Sequence, residues 1–126
     1  MTVRRRVSLW APVVAYMALI FSLSARSEAP LPDQLSDKQG HSLGYFGLSV
    51  LATRAVAGGL PARVGLGAAV GAWAIAAGYG VTDELHQSFV PGRRADVSDV
   101  YADAIGALAG TVTCWAWGII RPRADV

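Results

Sequence analysis

Apolar residues in this chain are grouped into four long blocks separated by short polar stretches. The blocks run from about residue 7 to 24, 40 to 57, 66 to 88 and 98 to 120. A soluble amphipathic helix repeats its apolar residues every three or four positions, whereas these blocks are apolar almost throughout. A bilayer core about 30 Å thick needs about 20 such residues for each helical crossing. The pattern predicts an all-α polytopic membrane protein, a bundle of four transmembrane helices.

The composition agrees with this interpretation and limits the number of domains. The chain has 126 residues, of which 53% are apolar and 16% charged, while an ordinary soluble domain carries roughly 25% charged residues. We therefore predict a single membrane domain over residues 1–126. The first block has one alternative: three arginines before it and the small residues in "SLSARSEA" after it also fit a cleaved signal peptide.

Basic residues are distributed unevenly between the two sides that four crossings would create. Seven of them fall on the side of the termini, and four fall on the other side: Arg26, Lys38, Arg93 and Arg94. The positive-inside rule then places both termini of a multi-pass protein in the cytoplasm. Eight of the nine acidic residues fall on the outer side. Because no basic patch with stacking aromatics is visible, we expect no nucleic-acid partner.

Polar residues recur at helical spacing near the outer ends of the last three blocks. Asp37, His41 and Tyr45 are spaced by four and form one stripe, and Glu84 and Gln87 are three apart. The segment "VPGR" that follows has Pro and Gly at the central positions of a type II turn, so the chain reverses there.

The fourth block begins with an acidic stripe that continues into glycines. Asp99, Asp103, Gly106 and Gly110 follow at spacings of four, three and four, and small residues four apart let helices approach closely in lipid. A carboxylate inside a membrane helix is costly, so Asp103 should have a partner. We predict that the polar residues of the three helices converge on one outward-facing ligand-binding site: Asp37, His41, Tyr45, Glu84, Gln87, Arg93, Asp99 and Asp103.

Four segments together resemble the VanZ-like family of bacterial membrane proteins. They read "FSLS", "SDKQGHSLGYFGL", "TDELHQSFVPGR" and "DVYADAIGALAG", and they span Phe21 to Gly110 in this order. The chain departs from the pattern at Asp103, where the resemblance implies Asn in many members. The resemblance implies a small helical bundle of the bacterial envelope, in a family named after a protein associated with resistance to teicoplanin-type glycopeptide antibiotics. It brings no settled catalytic activity, and a family name supplies no mechanism.

The residues leave three functions open, of which the first is headgroup binding. Arg93 or Arg94 would bind a phosphate or carboxylate of a lipid or of a lipid-linked envelope precursor, because guanidinium matches both groups with two N–H donors. Glu84, Gln87 and Asp99 would orient this arginine or bind sugar hydroxyls. The opposing interpretation makes Arg93 only a salt-bridge partner of Asp96 or Asp99.

The second function is an intramembrane hydrolase or transferase. His41 with Asp37 could act as a general base, or His41, Glu84 and Asp99 could hold zinc or manganese. Since no HxxxH or HExxH motif fixes such a geometry, we assign no metal ligands, and the cofactor stays open.

The third function is a structural bundle that binds a partner membrane protein. Glycine-lined helix faces also allow oligomers.

Overall fold

The computed structural model describes residues 1–26 and 37–121, without the side chain of Asp37. Its secondary structure consists of four helices, and the described residues contain no strand. They are α1 Val3–Ser24, α2 Asp37–Ala57, α3 Leu66–Gln87 and α4 Val97–Ile120. The prediction of an all-α fold with four helices is confirmed. The first two helices begin earlier than predicted, because a helix can continue past the end of its apolar block.

Side chains and glycines fix the ends of the helices. Thr2 caps α1 by accepting a hydrogen bond from the backbone N–H of Arg5, with 3.1 Å between nitrogen and oxygen. At the end of α2, Gly58 and Gly59 have positive φ angles of 78° and 121°. The N–H of Gly59 donates to the carbonyl of Arg54 at 2.8 Å. This is the Schellman arrangement that ends many helices, and it turns the chain back toward α1.

The turn between α3 and α4 has the geometry that the sequence predicted. Gly92 has a φ of 80°, and the N–H of Arg93 donates to the carbonyl of Val90 at 3.1 Å. Asp96 then caps α4, since its carboxylate accepts from the N–H of Ser98 at 2.9 Å. The chain therefore reverses directly between the polar ends of α3 and α4.

The closest pair of helices is α2 and α4, and α3 packs on both. A Cβ atom at Gly106 would lie 2.1 Å from the carbonyl oxygen of Ser42. A Cβ atom at Gly110 would lie 2.0 Å from Oγ of Ser49. Only glycine allows these approaches, as expected for small residues four positions apart.

Helix α1 lies at the edge of the bundle, against α2 and α3. It buries only Leu9, Val13 and Ser24. Two tyrosines fasten it to its neighbours: the hydroxyl of Tyr16 donates to the carbonyl of Gly44 at 2.7 Å, and that of Tyr79 donates to the carbonyl of Met17 at 2.6 Å. The core of the molecule is therefore the trio α2, α3 and α4.

Two helices of the described residues, α1 and α4, are long and apolar enough to cross a membrane. Helix α2 falls short because Arg54, His41 and several Gly and Ser residues lower its mean hydropathy. Helix α3 falls short because much of it is Ala and Gly and its last turns are acidic. The prediction of a helical protein with membrane-crossing segments agrees with this result for α1 and α4.

Candidate polar site at one end of the bundle

Antiparallel packing brings the first turns of α2 and α4 together with the last turns of α1 and α3. We call this the polar end, and the opposite one the arginine end. Seven side chains of α2, α3 and α4 form the polar cluster at the polar end. They are Lys38, His41, Tyr45, Asp83, Glu84, Asp99 and Asp103.

His41 connects the two acidic residues of the α4 stripe. Its Nδ1 lies 2.7 Å from Oδ1 of Asp103, and its Nε2 lies 3.9 Å from Oδ2 of Asp99. Asp103 is completely buried and Asp99 nearly so. The buried carboxylate of Asp103 thus has the partner that its position demanded, and its bond to Nδ1 orients the imidazole with Nε2 toward Asp99.

Lys38 is the cation of the cluster, and the predicted site did not include it. Its ammonium group donates to Oδ1 of Asp99 and lies 3.7 Å from Oδ2 of Asp96. It therefore takes the salt-bridge role that the sequence offered to Arg93. A signal was available, since Lys38 precedes His41 by three residues and shares its helix face. The pKa of Asp96 is lowered, mainly because the Ser98 N–H donates to its carboxylate and less because Lys38 is near.

Glu84 links α3 to the start of α4. Its Oε1 accepts a hydrogen bond from the backbone N–H of Asp96 at 2.6 Å. Its other oxygen, Oε2, is buried, and no residue of the described chain donates to it. One oxygen therefore positions the carboxylate, while the other is available for a ligand.

Tyr45 and Asp83 form another contact of the cluster, between α2 and α3. The Tyr45 hydroxyl donates to Oδ2 of Asp83 at 3.0 Å. Within the described chain, Oδ1 of Asp83 and Oδ2 of Asp103 are buried without a hydrogen-bond partner, as is the Glu84 oxygen. Three unsatisfied carboxylate oxygens in one cluster are unusual for a folded protein, so the cluster is suited to binding a cation or a hydrogen-bond donor.

His41, Glu84 and Asp99 form a set of residues that could hold a metal ion. One ligand atom from each lies within 4.8 Å of the other two. A tetrahedral zinc ion with bonds of about 2.0–2.2 Å separates its ligand atoms by about 3.4 Å, so small side-chain movements would close the set around an ion. The sequence had grouped the same three residues only as an alternative, without a motif to support them.

Other predicted site residues lie around the cluster or outside it. Gln87 is buried one turn beyond Glu84, and the side chain of Asp37 lies outside the described residues. Nη1 of Arg93 donates to the carbonyl of Arg26 at 3.2 Å, so its guanidinium is bound at the end of α1. His86 faces α1 as well, stacking on Phe21 with ring centroids 4.2 Å apart.

Comparisons with known proteins give one match. A family model described as VanZ/LLP1 matches residues 7–120, nearly the whole chain. The comparisons with curated proteins and with solved structures found no match. The matched range includes every described residue of the polar cluster.

Proposed function

This chain belongs to the VanZ/LLP1 family, and from that premise we propose that it is a multi-pass protein of the bacterial cytoplasmic membrane with a metal-binding site facing outward. The polar cluster binds one divalent ion, and the ion binds the phosphate of a lipid or lipid-linked envelope headgroup. The observation that carries the proposal is the set of converging ligand atoms from His41, Glu84 and Asp99.

Two apolar helices and the way the other two pack support four crossings. If α1 and α4 cross the bilayer, α2 and α3 cross with them, because they pack along these helices. Their 21 and 22 residues extend over about 32 Å at roughly 1.5 Å per residue, which matches the hydrocarbon thickness. The excess of arginine at the opposite end directs the polar end outward.

The contacts of the three proposed ligands favour a metal ion. Asp103 holds Nδ1 of His41, which is the carboxylate–histidine arrangement that fixes the imidazole of metal ligands. Asp99 directs Oδ2 toward the same imidazole while Oδ1 binds Lys38. Glu84 contributes a buried oxygen that has no donor in the described chain. Nitrogen and carboxylate ligands of this kind suit zinc or manganese.

The position of the cluster supports a phosphate bound through the ion. One N–H of Arg93 donates to the carbonyl of Arg26 at the end of α1, and we give the phosphate-binding role to the ion because the converging ligand atoms belong to His41, Glu84 and Asp99. Exposed apolar side chains flank the polar end, among them Leu43, Phe89 and Tyr101. An amphipathic ligand can lay its chains along them while its headgroup reaches the ion. The family's name implies an association with glycopeptide resistance. A lipid-linked envelope headgroup is a ligand class consistent with that expectation.

A metal-dependent hydrolase or transferase is the second candidate. The hydrogen bond between His41 and Asp103 favours it, because a histidine held by a carboxylate keeps a defined tautomer. A divalent ion beside it would supply a hydroxide nucleophile from bound water. Hydrolysis of a phosphate ester by the metal-loaded protein would distinguish this candidate from simple binding.

Metal content tests the proposal directly. The purified full-length protein, depleted with a chelator and titrated with Zn²⁺ or Mn²⁺, should bind one ion and become more stable. The gain is about 2.7 kcal/mol when the free ion exceeds its Kd a hundredfold. Glu84→Gln and Asp99→Asn should abolish binding, and the control Asp96→Asn should retain it, because Asp96 is exposed and outside the ligand set. Equal metal content in all four proteins would contradict the site.

Headgroup binding is tested with farnesyl phosphate as the amphipathic probe and farnesol as its control. The metal-loaded protein should bind the phosphate and not the alcohol, and chelator should remove the binding. Should Glu84→Gln and Asp99→Asn leave the probe's affinity unchanged but lower the melting temperature, the cluster would be a scaffold, as the structural alternative holds.

A further inference from the structure

A polar cavity lies at the arginine end, between α1 and the loop that follows α2. It has a volume of about 280 Å³, and we call it the arginine pocket. Its lining residues are Arg5, Ser8, Leu9, Arg54, Gly58, Gly59 and Leu60. The proposed metal site does not use any of them.

Both arginines of the pocket are held by backbone carbonyls. Nη2 of Arg5 donates to the carbonyl of Gly58, and Nη1 of Arg54 donates to the carbonyl of Ser8 at 3.2 Å. A guanidinium has five N–H donors in a planar fork. One donor of each therefore fixes its position, while the others can serve a ligand in the cavity.

The pocket has positive charge without nearby acids among the described residues. Every described acidic residue lies at the polar end: Asp37, Asp83, Glu84, Asp96, Asp99 and Asp103. Two guanidinium groups across one cavity, with no carboxylate beside them in the described part of the chain, attract an anion. The planar fork favours phosphate oxygens, which it can bind with two parallel hydrogen bonds.

The surroundings of the pocket favour a phosphate that belongs to a lipid. Leu9 and Leu60 add apolar atoms to its wall, and exposed apolar side chains on the same part of α1 include Val3, Val7 and Trp10. If the helices cross the membrane as proposed above, this end meets the cytoplasmic leaflet, where anionic lipids attract basic residues. A free anion would gain nothing from the apolar surface.

We propose that Arg5 and Arg54 bind the phosphate of an anionic phospholipid of the cytoplasmic leaflet. The Schellman turn at Gly58 and Gly59 builds the site, since it presents the Gly58 carbonyl that positions Arg5. The inference depends on the proposed membrane crossing and is independent of the metal at the polar end.

The test uses the full-length protein in a neutral detergent, titrated with dihexanoyl phosphatidylglycerol. Dihexanoyl phosphatidylcholine and inorganic phosphate are the comparison ligands. The double variant Arg5→Gln/Arg54→Gln should weaken phosphatidylglycerol binding at least about tenfold, since losing even one charge-assisted hydrogen bond has about that effect. The matched control Arg63→Gln/Arg121→Gln removes the same charge from exposed positions at this end, and it should change the affinity less than about twofold.

Three results would overturn the inference. The first is an equal loss in both double variants, which would indicate general surface charge. The second is equal affinity for inorganic phosphate and phosphatidylglycerol, which would remove the lipid. The third is unchanged phosphatidylglycerol binding in Arg54→Lys, a variant that keeps the positive charge and removes the planar guanidinium. This single variant also provides the test if the double variant misfolds. Zn²⁺ binding should stay normal in every variant, so failure here is distinguishable from failure of the metal site.

Discussion

Carboxylates at the polar end are buried and paired across helices, whereas arginines at the other end bond to backbone carbonyls close to the surface. At the polar end, His41 and Lys38 of α2 contact Asp103 and Asp99 of α4. At the arginine end, Arg5 of α1 bonds to the loop carbonyl of Gly58. Carboxylates thus contact side chains of neighbouring helices at one end, while arginines contact backbone carbonyls at the other.

The difference follows from where the helices come closest. Gly106 and Gly110 let α4 touch α2 in the half of the bundle near the polar end, so side chains beside them are enclosed by three helices. The arginine pocket instead lies between α2 and α1, which packs only at the edge of the bundle. Close helix packing excludes water, so charged side chains there need partners. Where the packing is looser, charged side chains stay hydrated.

The largest effect is expected from Gly106→Ala, which would break the contact that closes the polar end. The added methyl group meets the backbone of Ser42, so the two helices must separate and His41 must leave Asp103. We expect a loss of about 3 kcal/mol or more of unfolding free energy, the upper end for overpacked cores. Thermal unfolding in detergent measures it.

Two glycines provide the controls for this change. Gly78→Ala should be neutral or slightly stabilising, because no atom lies within 4 Å of the added carbon. Gly118→Ala meets the carbonyl oxygen of Ala62 at the arginine end, and it should cost less than Gly106→Ala because that carbonyl lies in a loop that can move. Equal losses at Gly106 and Gly118 would contradict the view that only one end is closed.

A smaller effect is expected from Asp103→Leu, which removes a buried partner and replaces the carboxylate by an apolar group with the same branching. Nδ1 of His41 then loses its contact with Asp103, and weakening the hydrogen bonding of a buried polar group costs about 1–3 kcal/mol. Asp103→Asn keeps an acceptor and should cost clearly less. The same unfolding measurement applies, with Arg54→Met at the arginine end as the comparison, where a loss near 0.5 kcal/mol is typical of surface changes. A loss at Arg54 as large as that at Asp103 would remove the contrast.

The helices were predictable because apolar blocks of about 20 residues leave few alternatives. Their first residues were less predictable, since hydropathy does not detect caps. Helix α1 begins at Val3 because Thr2 accepts a hydrogen bond from Arg5, although the apolar block starts four residues later. Membrane crossing depends on the lipid surroundings as well as on the helices, and by length and composition only α1 and α4 of the described helices are suited to it.

Helical periodicity also predicted which polar side chains meet, and it failed where the chain leaves the helix. His41, Glu84 and Asp103 lie on stripes that face neighbouring helices, so their convergence could be inferred. Arg93 lies in a turn, where periodicity gives no direction, and it bonds to Arg26 instead. Lys38 was missed because a lysine at a helix end is usually solvated. Its spacing of three from His41 placed it on the same helix face, and the fold adds that Asp99 lies within its reach.

The smallest effect is expected from Asp96, an acidic residue of the polar end that remains exposed. It lies 3.7 Å from Lys38, and both side chains are about half exposed, so their pairing should contribute little. Its larger role is to cap α4 through Ser98. Asp96→Asn keeps the cap and removes the charge, so its melting temperature should not change. Asp96→Ala removes both and should lower it, because Ala is a poor cap. Equal melting temperatures for the two variants would mean that the cap contributes nothing. A lower melting temperature of Asp96→Asn that high salt abolishes would mean that exposed charges at this end stabilise the protein as much as buried ones.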